Sequence, residues 1–336
     1  MHILVTGHTG FKGSWLSLLL DSLGHKVSGI SLDPEPESHF VLSNIEEYLV
    51  EDIRLDIRDN SALSKAFVEI NPDFVIHLAA QPLVKEGYRN PEYTYEVNVN
   101  GTLNVLHSAQ ESSNIKGVLV ITTDKVYANS EKNNKPFSES DALGSGDPYS
   151  TSKAMADLLT QSWLENSKGP LVGIARAGNV IGGGDFGVDR LIPDLVHNAK
   201  SGQETLIRYP KAVRPWQHVL DCLNGYAKQM EFMLEGNKAI FNFGPDFGQY
   251  FEVEEVANKF LEFLGTGSWK LDKDPHPHEA NFLTLDSRKA AKELNWSNKY
   301  NFQKSLDVTA SWYKDYLDGK NLANSSKEQV RDYLKQ

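Results

Sequence analysis

The sequence is poor in cysteine, in long apolar runs and in net positive charge. Its 336 residues contain one cysteine, Cys222, so no internal disulfide is expected and a reducing cytoplasm is favoured. No apolar run is long enough to span a bilayer, and we expect no membrane association. There are 34 Lys and Arg against 45 Asp and Glu, a net charge of −11, which disfavours non-specific binding of nucleic acid.

The first residues run directly into a strand-like segment, His2-Ile3-Leu4-Val5, without a basic lead or a small-residue cleavage site. We therefore expect no secretory signal and a cytoplasmic location. The length is sufficient to bury a large core in one large domain or two smaller ones.

Short apolar runs alternate with helical patterns in the first half of the chain. Strands are predicted over residues 3–6, 26–31, 74–78, 118–122 and 171–176. Helices are predicted over residues 12–23, 61–70, 94–112 and 150–166. This alternation is typical of the α/β class, with a doubly wound (Rossmann), mostly parallel sheet.

The second half is more irregular, with Gly182-Gly183-Gly184, several prolines and helical patterns near 191–201 and 252–264. We predict a dinucleotide-binding domain over residues 1–178, which also receives segments from about 214–245. Residues 179–336 are then mainly a smaller, mixed α/β substrate domain. The tail from Asp318 is polar and ends in a further helical pattern.

Three glycines follow the first predicted strand. Gly7, Gly10 and Gly13 have the spacing G-x-x-G-x-x-G at the start of the first predicted helix. Gly7 permits a tight turn, Gly10 lets the backbone approach a pyrophosphate, and Gly13 lets helix and strand pack closely. The free N–H groups and positive end of the helix favour a diphosphate there. A tight strand–helix turn without a ligand is the alternative.

The residues around this turn favour a dinucleotide. Asp33 follows the second strand, twenty residues past Gly13, and a carboxylate there binds ribose hydroxyls and repels a 2′-phosphate. NAD is therefore predicted over NADP. Asp56 and Ile57 follow another short strand and suit the adenine edge, and the small residues of Leu78-Ala79-Ala80 end a further strand against the cofactor.

A second constellation carries the chemistry. Tyr149 and Lys153 form Y-x-x-x-K at a helix start, and positions i and i+4 share a helical face. A neighbouring ammonium and a nicotinamide cation would lower the pKa of the tyrosine and make it a general base. Thr122-Thr123-Asp124-Lys125 ends the strand upstream, at the sheet edge where α/β proteins bind ligands. A solvated pair of Tyr149 and Lys153 is the structural alternative.

These motifs resemble the extended short-chain dehydrogenase/reductase family, which acts largely on sugar nucleotides. The resemblance covers nearly the whole chain. It also rests on Arg214-Pro215-Trp216-Gln217-His218-Val219 and on Asp286-Ser287-Arg288-Lys289-Ala290 before Leu294-Asn295-Trp296.

Within that family, the CDP-glucose 4,6-dehydratase branch resembles this chain most. The shared runs are residues 7–15, 122–127, 176–185 and 214–219, and Pro277-His278-Glu279-Ala280. Related 4,6-dehydratases usually have Thr-Asp-Glu where this chain has Thr123-Asp124-Lys125. The identity of the base that removes the C5 proton is therefore open.

The resemblance implies a redox-neutral dehydration of a nucleotide-glucose, with CDP-D-glucose giving CDP-4-dehydro-6-deoxy-D-glucose. Tyr149 would take the C4 hydroxyl proton while a hydride passes to NAD, and Asp124 would protonate the departing C6 hydroxyl. Lys125 would either take the C5 proton, if neutral, or steady an enolate. Thr123 would bond the C4 oxygen, and Lys153 would support Tyr149.

The resemblance also implies the ligand-binding residues. Cofactor binding is assigned to Gly7, Thr9, Gly10, Phe11, Lys12, Gly13, Asp33, Asp56, Ile57, Leu78, Ala79, Ala80, Asn98, Thr122, Tyr149 and Lys153. Substrate binding is assigned to Gln81, Asn179, Arg190, Arg214, His218 and His278. The predicted helices 94–112 and 150–166 each have apolar positions on more than one face, and as in the family we expect them to form a homodimer.

His276, His278 and Glu279 are possible metal ligands, but Pro275 and Pro277 between them indicate an extended loop, and the reaction requires no metal. We therefore predict no metal site. Two other functions remain open: a sugar-nucleotide enzyme of the same fold, such as a C4 epimerase or a dehydratase for another nucleotide, and a non-catalytic NAD-binding protein. An epimerase would not need Asp124-Lys125, and a binding protein would not need Tyr149 and Lys153.

Overall fold

A parallel seven-stranded sheet organises the computed structural model, which describes residues 1–130, 134–144, 146–274 and 280–336. The strand order is β11-β6-β5-β4-β1-β2-β3. The strands of this sheet are β1 (His2–Thr6), β2 (Lys26–Ser31), β3 (Glu51–Arg54), β4 (Phe74–His77), β5 (Gly117–Thr123), β6 (Leu171–Ala177) and β11 (Ile240–Phe243). The order reverses between β1 and β4, which confirms the predicted doubly wound α/β fold.

Apolar side chains cover both faces of this sheet. Ile3 and Val5 belong to the core on one face, and Leu4 between them belongs to the core on the other. All three are fully buried. Successive side chains of a strand point to opposite faces, so an unbroken apolar run requires helices on both sides.

The helices pack on these two faces and around the second half of the chain. They are α1 (Phe11–Ser22), α2 (His39–Leu42), α3 (Asn60–Ile70), α4 (Val84–Arg89), α5 (Pro91–Tyr95), α6 (Thr102–Glu111), α7 (Pro148–Asn166), α8 (Leu191–Ser201), α9 (Val219–Leu234), α10 (Val253–Leu264), α11 (Arg288–Leu294), α12 (Phe302–Leu317) and α13 (Leu322–Leu334). Single 3-10 turns lie at Ile45–Tyr48 and Asp124–Val126, and a π-helical segment lies at Glu96–Gly101. No helix in the described ranges combines the length and apolarity that a membrane span needs.

Short strand pairs lie beside the large sheet. Their members are β7 (Val180–Ile181), β8 (Glu204–Ile207), β9 (Val213–Arg214), β10 (Gln217–His218), β12 (Phe251–Glu252) and β13 (Ser268–Leu271). They pair as β7 with β10, β8 with β13, and β9 with β12. The chain returns to the large sheet between these pairs, because β11 is its edge strand beside β6. The predicted division into domains at residue 178 stays a prediction.

The helix predicted over residues 94–112 is interrupted in the structure by the π-helical segment. The Asn98 side chain there accepts a hydrogen bond from the Gln81 backbone N–H (2.8 Å) and donates to the Gln81 carbonyl (3.1 Å) and to Ser152 Oγ (2.8 Å). A Cβ added to Gly101 would lie 2.5 Å from Ile57 Cδ1. The wider turn thus accommodates contacts with distant parts of the chain.

The tail pattern forms α13, and this helix is attached to the first helix of the chain. His39 is buried and stacked on Trp15 of α1 with ring centroids 4.2 Å apart. One ring nitrogen lies 2.8 Å from Ser14 Oγ on α1, and the other lies 3.0 Å from Ser326 Oγ on α13. Burial lowers the pKa of His39 to about 3, so the ring is neutral at pH 7 and connects the two helices by hydrogen bonds.

Candidate active site

A cleft of about 1260 Å³ opens at the carboxyl ends of the parallel strands. Leu32 follows β2, Leu55 follows β3, Leu78 follows β4, and Thr123 ends β5, and each of these residues lines the cleft. This edge of a doubly wound sheet is the usual position for a ligand. The first turn of α1 and the start of α7 complete the walls.

The glycine turn leaves no room for side chains. Gly7 has φ +77°, and a Cβ there would lie 2.7 Å from the Ala79 backbone nitrogen. On Gly13, a Cβ would lie 2.1 Å from the Gly7 carbonyl oxygen. Helix α1 begins at Phe11, and its N-cap Gly10 offers no side chain to cap it. The backbone N–H groups of the first turn therefore face the cleft as a site for an anion.

Tyr149 and Lys153 lie in the first part of α7, and both line the cleft although both are nearly buried. The sequence predicted that Lys153 and a nicotinamide cation together lower the pKa of Tyr149. The groups of the protein by themselves raise the pKa of this phenol to about 12. Burial is the main cause and the negative charge of Asp124 the second, opposed by Arg190 and Thr123. The protein's own groups thus keep Tyr149 protonated at neutral pH.

The Lys153 ammonium donates a hydrogen bond to the Ile121 carbonyl oxygen at 2.9 Å. Burial lowers the pKa of Lys153 to about 8, the nearby Lys12 adds to this effect, and Asp157 opposes it. Lys153 therefore stays mostly protonated at pH 7 and presents a positive charge to the cleft, but it loses its proton more readily than an exposed lysine.

Asp124 begins the 3-10 turn that follows β5, and it is 2% exposed. Its Oδ1 accepts a hydrogen bond from the Thr123 hydroxyl at 2.8 Å. Its Oδ2 is buried and has no hydrogen-bond partner within the described residues. Burial raises the pKa of Asp124, against the opposing charges of Lys125, Arg214 and Lys12. A carboxyl group in this setting can carry a proton and release it to a bound molecule.

The wall opposite the glycine turn is rich in cationic side chains. Asn179, Arg190 and Arg214 line it, as the sequence predicted for a phosphate-binding wall. Nη1 of Arg190 donates to both oxygens of Asp185, at 2.8 and 3.0 Å. Nη1 of Arg214 donates to the carbonyl oxygens of Val213 (3.0 Å) and Ala280 (2.7 Å). Protein contacts thus hold both guanidinium groups in place at the cleft.

The opposite end of the cleft carries the acids predicted for the adenosine. Asp33 lies one residue past the cleft-lining Leu32, and its side chain is 89% exposed. Asp56 and Ile57 line the cleft after β3. Asp56 is held by Arg58, whose Nη2 lies 2.7 Å from Oδ2, and this hydrogen bond lowers the pKa of Asp56.

Most of the predicted site residues meet in this cleft. The structure brings together Gly7, Thr9, Gly10, Phe11, Lys12, Gly13, Asp56, Ile57, Leu78, Ala79, Ala80, Thr122, Thr123, Asp124, Lys125, Tyr149, Lys153, Asn179, Arg190 and Arg214. His278, with the candidate metal ligands His276 and Glu279, lies outside the described residues. The described part of the chain holds no cluster of three or more acidic, His or Cys side chains arranged for a metal ion.

Four of the predicted ligand residues that the structure describes do not line the cleft: the exposed Asp33, and the buried Gln81, Asn98 and His218. Gln81 is buried and donates to Thr94 Oγ1 at 2.8 Å, and Asn98 is bonded to Gln81 and Ser152 as described above. His218 is fully buried and caps α9, accepting a hydrogen bond from the Leu220 backbone N–H at 3.2 Å. These contacts support the walls of the cleft. They give none of the three buried side chains direct access to its lumen.

The sequence reasoning missed several charged residues of the substrate-side wall. Lys85, Asp189, Asp194 and Arg208 line the cleft. Lys85 pairs with Asp189 at 2.5 Å, and burial, with the nearby Asp189, raises the pKa of Asp194 to about 6. The one available signal was that Asp194 lies in the predicted helix 191–201 and Arg208 lies seven residues after it, in a region predicted to bind substrate.

The family model for GDP-mannose 4,6 dehydratase matches residues 4–309. The chain is 40% identical to the CDP-glucose 4,6-dehydratase of Salmonella typhimurium, over 99% of this chain and 96% of that protein. It is 28% identical to the UDP-glucose 4-epimerase of Halalkalibacterium halodurans, over 98% and 100% of the two chains.

Solved structures have the same fold. The dTDP-glucose 4,6-dehydratase of Streptomyces venezuelae, solved with bound NAD, superposes with a TM-score of 0.82 at 25% identity, over 96% of this chain and 100% of that one. The family match over residues 4–309 and the 40% identity over nearly the whole chain show that the chain belongs to the GDP-mannose 4,6-dehydratase family.

Proposed function

We propose that this protein is an NAD-dependent hydro-lyase that converts CDP-D-glucose to CDP-4-dehydro-6-deoxy-D-glucose. The observation that carries the proposal is Asp124, a buried carboxyl with a raised pKa beside Tyr149 in the cleft. Elimination of water needs an acid that protonates the leaving hydroxyl group, whereas C4 epimerisation needs no such acid. The 40% identity to a CDP-glucose 4,6-dehydratase supports the choice of nucleotide.

The glycine turn fits a dinucleotide. A Cβ would collide with neighbouring atoms at Gly7 and at Gly13. These are positions where a dinucleotide site needs glycine so that the backbone can approach a diphosphate. The uncapped start of α1 supplies N–H donors for it. NAD, when bound there, would accept a hydride from C4 of the sugar and later return it to C6.

Tyr149 takes the proton of the C4 hydroxyl group. In the protein alone the pKa of this phenol is about 12, so its ionisation needs further positive charge near the ring. The oxidised nicotinamide, when bound beside Tyr149, would supply that charge. Thr123, whose hydroxyl lies beside the Asp124 carboxyl, orients the C4 oxygen.

Elimination then uses the Asp124 end of the cleft. The C4 ketone acidifies the C5 proton, which leaves to a base, and Asp124 donates its proton to the C6 hydroxyl as the C6–O bond breaks. Water is released, the hydride returns to C6, and C5 regains a proton. Lys125 lines the cleft next to Asp124 and either takes the C5 proton or steadies the enolate.

The substrate-side wall supports a sugar nucleotide. A glucose ring at Tyr149 directs the diphosphate away from the glycine turn, toward Arg190, Arg208 and Arg214. Guanidinium groups form charge-assisted hydrogen bonds to phosphate oxygens. Of these three, we assign Arg214 the most direct phosphate contact, as the family resemblance implies.

We also propose a homodimer and a cytoplasmic location. The solvent face of α7 exposes Met155 and Leu158, at 44% and 54%, three residues apart on one side of the helix. A second copy of this face would cover them. The single buried cysteine is compatible with a reducing compartment.

The test is a panel of nucleotide-glucoses incubated with the protein and NAD and analysed by mass spectrometry. Loss of one water from CDP-glucose, without net reduced cofactor, is the expected result. An isomer of unchanged mass would indicate an epimerase, turnover of another nucleotide-glucose would reassign the substrate, and no change with any of them would contradict an enzymatic function.

A further inference from the structure

The rim at the adenosine end of the cleft contains a connected group of charged side chains, formed by Asp33, Asp52, Arg54 and His8. Arg54 Nη2 lies 2.6 Å from Asp52 Oδ2, and its Nε lies 3.6 Å from Asp33 Oδ1. The guanidinium also lies over the Phe40 ring, 5.3 Å from its centre. Contacts on two sides thus hold Arg54 while its third side faces Asp33.

His8 fixes the other end of this group. Its Nε2 lies 2.8 Å from Asp52 Oδ1 and 3.3 Å from Arg54 Nη1. A guanidinium can only donate hydrogen bonds, so the Nε2 proton of His8 is donated to Asp52. The protonated Nε2 then cannot accept a hydrogen bond from Arg54 Nη1. Burial lowers the pKa of His8, and the ring is neutral at pH 7. Asp52 is therefore held from two sides.

The charges of this group decide what it can bind. Arg54 carries one positive charge, and Asp52 and Asp33 carry one negative charge each. The Arg54 side chain is 31% exposed and that of Asp33 is 89% exposed, whereas Asp52 is 13% exposed. Asp52 is thus the inner partner, and Asp33 is an outer carboxylate over the accessible edge of the guanidinium.

We propose that Arg54 is a latent binding position for the 2′-phosphate of NADP, which Asp33 occupies and neutralises. The inference rests on the proposed dinucleotide site. Asp33 then favours NAD in two ways, by repelling the 2′-phosphate and by covering the Arg54 guanidinium that would bind it. With Asp33 removed, the Nε edge of Arg54 becomes a donor for phosphate oxygens.

The test measures the affinities for NAD and NADP by calorimetry, without turnover. The proteins are the wild type, Asp33→Ser, Asp33→Ser/Arg54→Met and Asp33→Ser/Arg288→Met. Methionine keeps an apolar stem over the Phe40 ring. Arg288 is a matched control, because it also pairs with an aspartate two residues earlier, at 2.6 Å, and lies over an aromatic ring, that of Phe247.

We expect the wild type to prefer NAD and Asp33→Ser to bind NADP about tenfold or more tightly than the wild type, the value of one charge-assisted hydrogen bond. The Arg54→Met change should remove that gain, and the Arg288→Met change should keep it. If the Met variant loses NAD binding as well, Arg54→Gln in the same background takes its place.

A gain in NADP affinity that persists without Arg54 would overturn the inference, since relief of repulsion alone would then explain it. The absence of any gain in Asp33→Ser would overturn it too. Both outcomes leave NAD binding by the wild type intact. A wild type that binds neither dinucleotide would instead contradict the proposed function, and the inference with it.

Discussion

Lys153 donates its hydrogen bond to the carbonyl oxygen of Ile121, at 2.9 Å, although it lies one helical turn from Tyr149. The carbonyl belongs to β5, so the ammonium connects the catalytic helix to the central sheet. This position also has an energetic cost, because burial lowers the pKa of Lys153 to about 8. The positive charge that Lys153 brings to the cleft therefore lowers the stability of the fold.

Replacing Lys153 with Met should stabilise the protein at pH 7. The pKa of Lys153 is about 8 in the folded state and about 10.4 in the unfolded state. At any pH where the lysine is charged in both states, this difference destabilises the folded protein. After allowance for the lost hydrogen bond, the expected gain on replacement is on the order of 2–3 kcal/mol. The unfolded state binds more protons between these values, so wild-type stability rises with pH across that window. The gain of Lys153→Met should thus be full below pH 8 and vanish by about pH 10.5.

Urea unfolding at pH 7, 9 and 10.5 measures this, with Lys65→Met as the control. Lys65 is exposed on α3, and its replacement should change the free energy of unfolding by less than about 0.5 kcal/mol. A Lys153→Met protein that is less stable than the wild type at pH 7 would show that the ammonium stabilises the fold.

Replacing Tyr149 with Phe should block the first step. Phenylalanine keeps the ring but has no hydroxyl that could accept the C4 hydroxyl proton. We expect kcat to fall by about 10²–10⁴-fold with little change in substrate affinity. Rapid mixing with CDP-glucose should give no reduced-nicotinamide absorbance, and a burst of such absorbance would remove Tyr149 from the role of base.

Replacing Asp124 with Asn should leave oxidation possible and slow the elimination. The amide cannot protonate the C6 hydroxyl, so a 4-keto-glucose nucleotide that has not lost water should accumulate with reduced cofactor. The expected slowing is also about 10²–10⁴-fold. Rapid mixing followed by mass analysis of the quenched sugar distinguishes this variant from Tyr149→Phe. Dehydrated product formed at the wild-type rate would contradict the assignment of Asp124 as the acid.

Replacing Leu158 with Asp should separate the proposed dimer. The change puts a charge on the solvent face of α7, at a side chain that is 54% exposed, and an unpaired charge opposes burial in an interface. Sedimentation at micromolar concentration should show a dimer for the wild type and a monomer for the variant. Val68→Asp, at a 74% exposed position on α3, is the control and should stay dimeric. Equal sedimentation of wild type and Leu158→Asp would contradict this interface.

The sequence predicted the parts of the fold that local patterns determine. The apolar run at residues 3–5 and the glycine turn after it required a buried strand and a helix start, and both are present. It could not predict the π-helical segment, because the bonds from Asn98 to Gln81 and Ser152 join residues that are 17 and 54 positions apart. Two-residue strands such as β7 and β10 are too short for any periodicity to indicate.

The same distinction applies to the site. Y-x-x-x-K placed Tyr149 and Lys153 correctly in the cleft, because helical geometry alone puts them on one face. The motif could not indicate that the protein's own groups raise the pKa of Tyr149, because this shift depends on burial and on Asp124, 25 positions earlier in the chain. His218 was expected to meet substrate, but it is enclosed by its own helix cap and by Tyr300, whose ring centre lies 5.1 Å away.

The attachment of α13 to α1 through His39 has a consequence for synthesis of the chain. Ser326 reaches His39 and, through it, Ser14, so the helix that starts the dinucleotide site acquires its last contacts from a segment translated more than 300 residues later. While residue 326 is still inside the ribosome, His39 and Trp312 lack that hydroxyl partner. The hydrogen bonds that join α1 to α13 through His39 can therefore form only after Ser326 has left the ribosome.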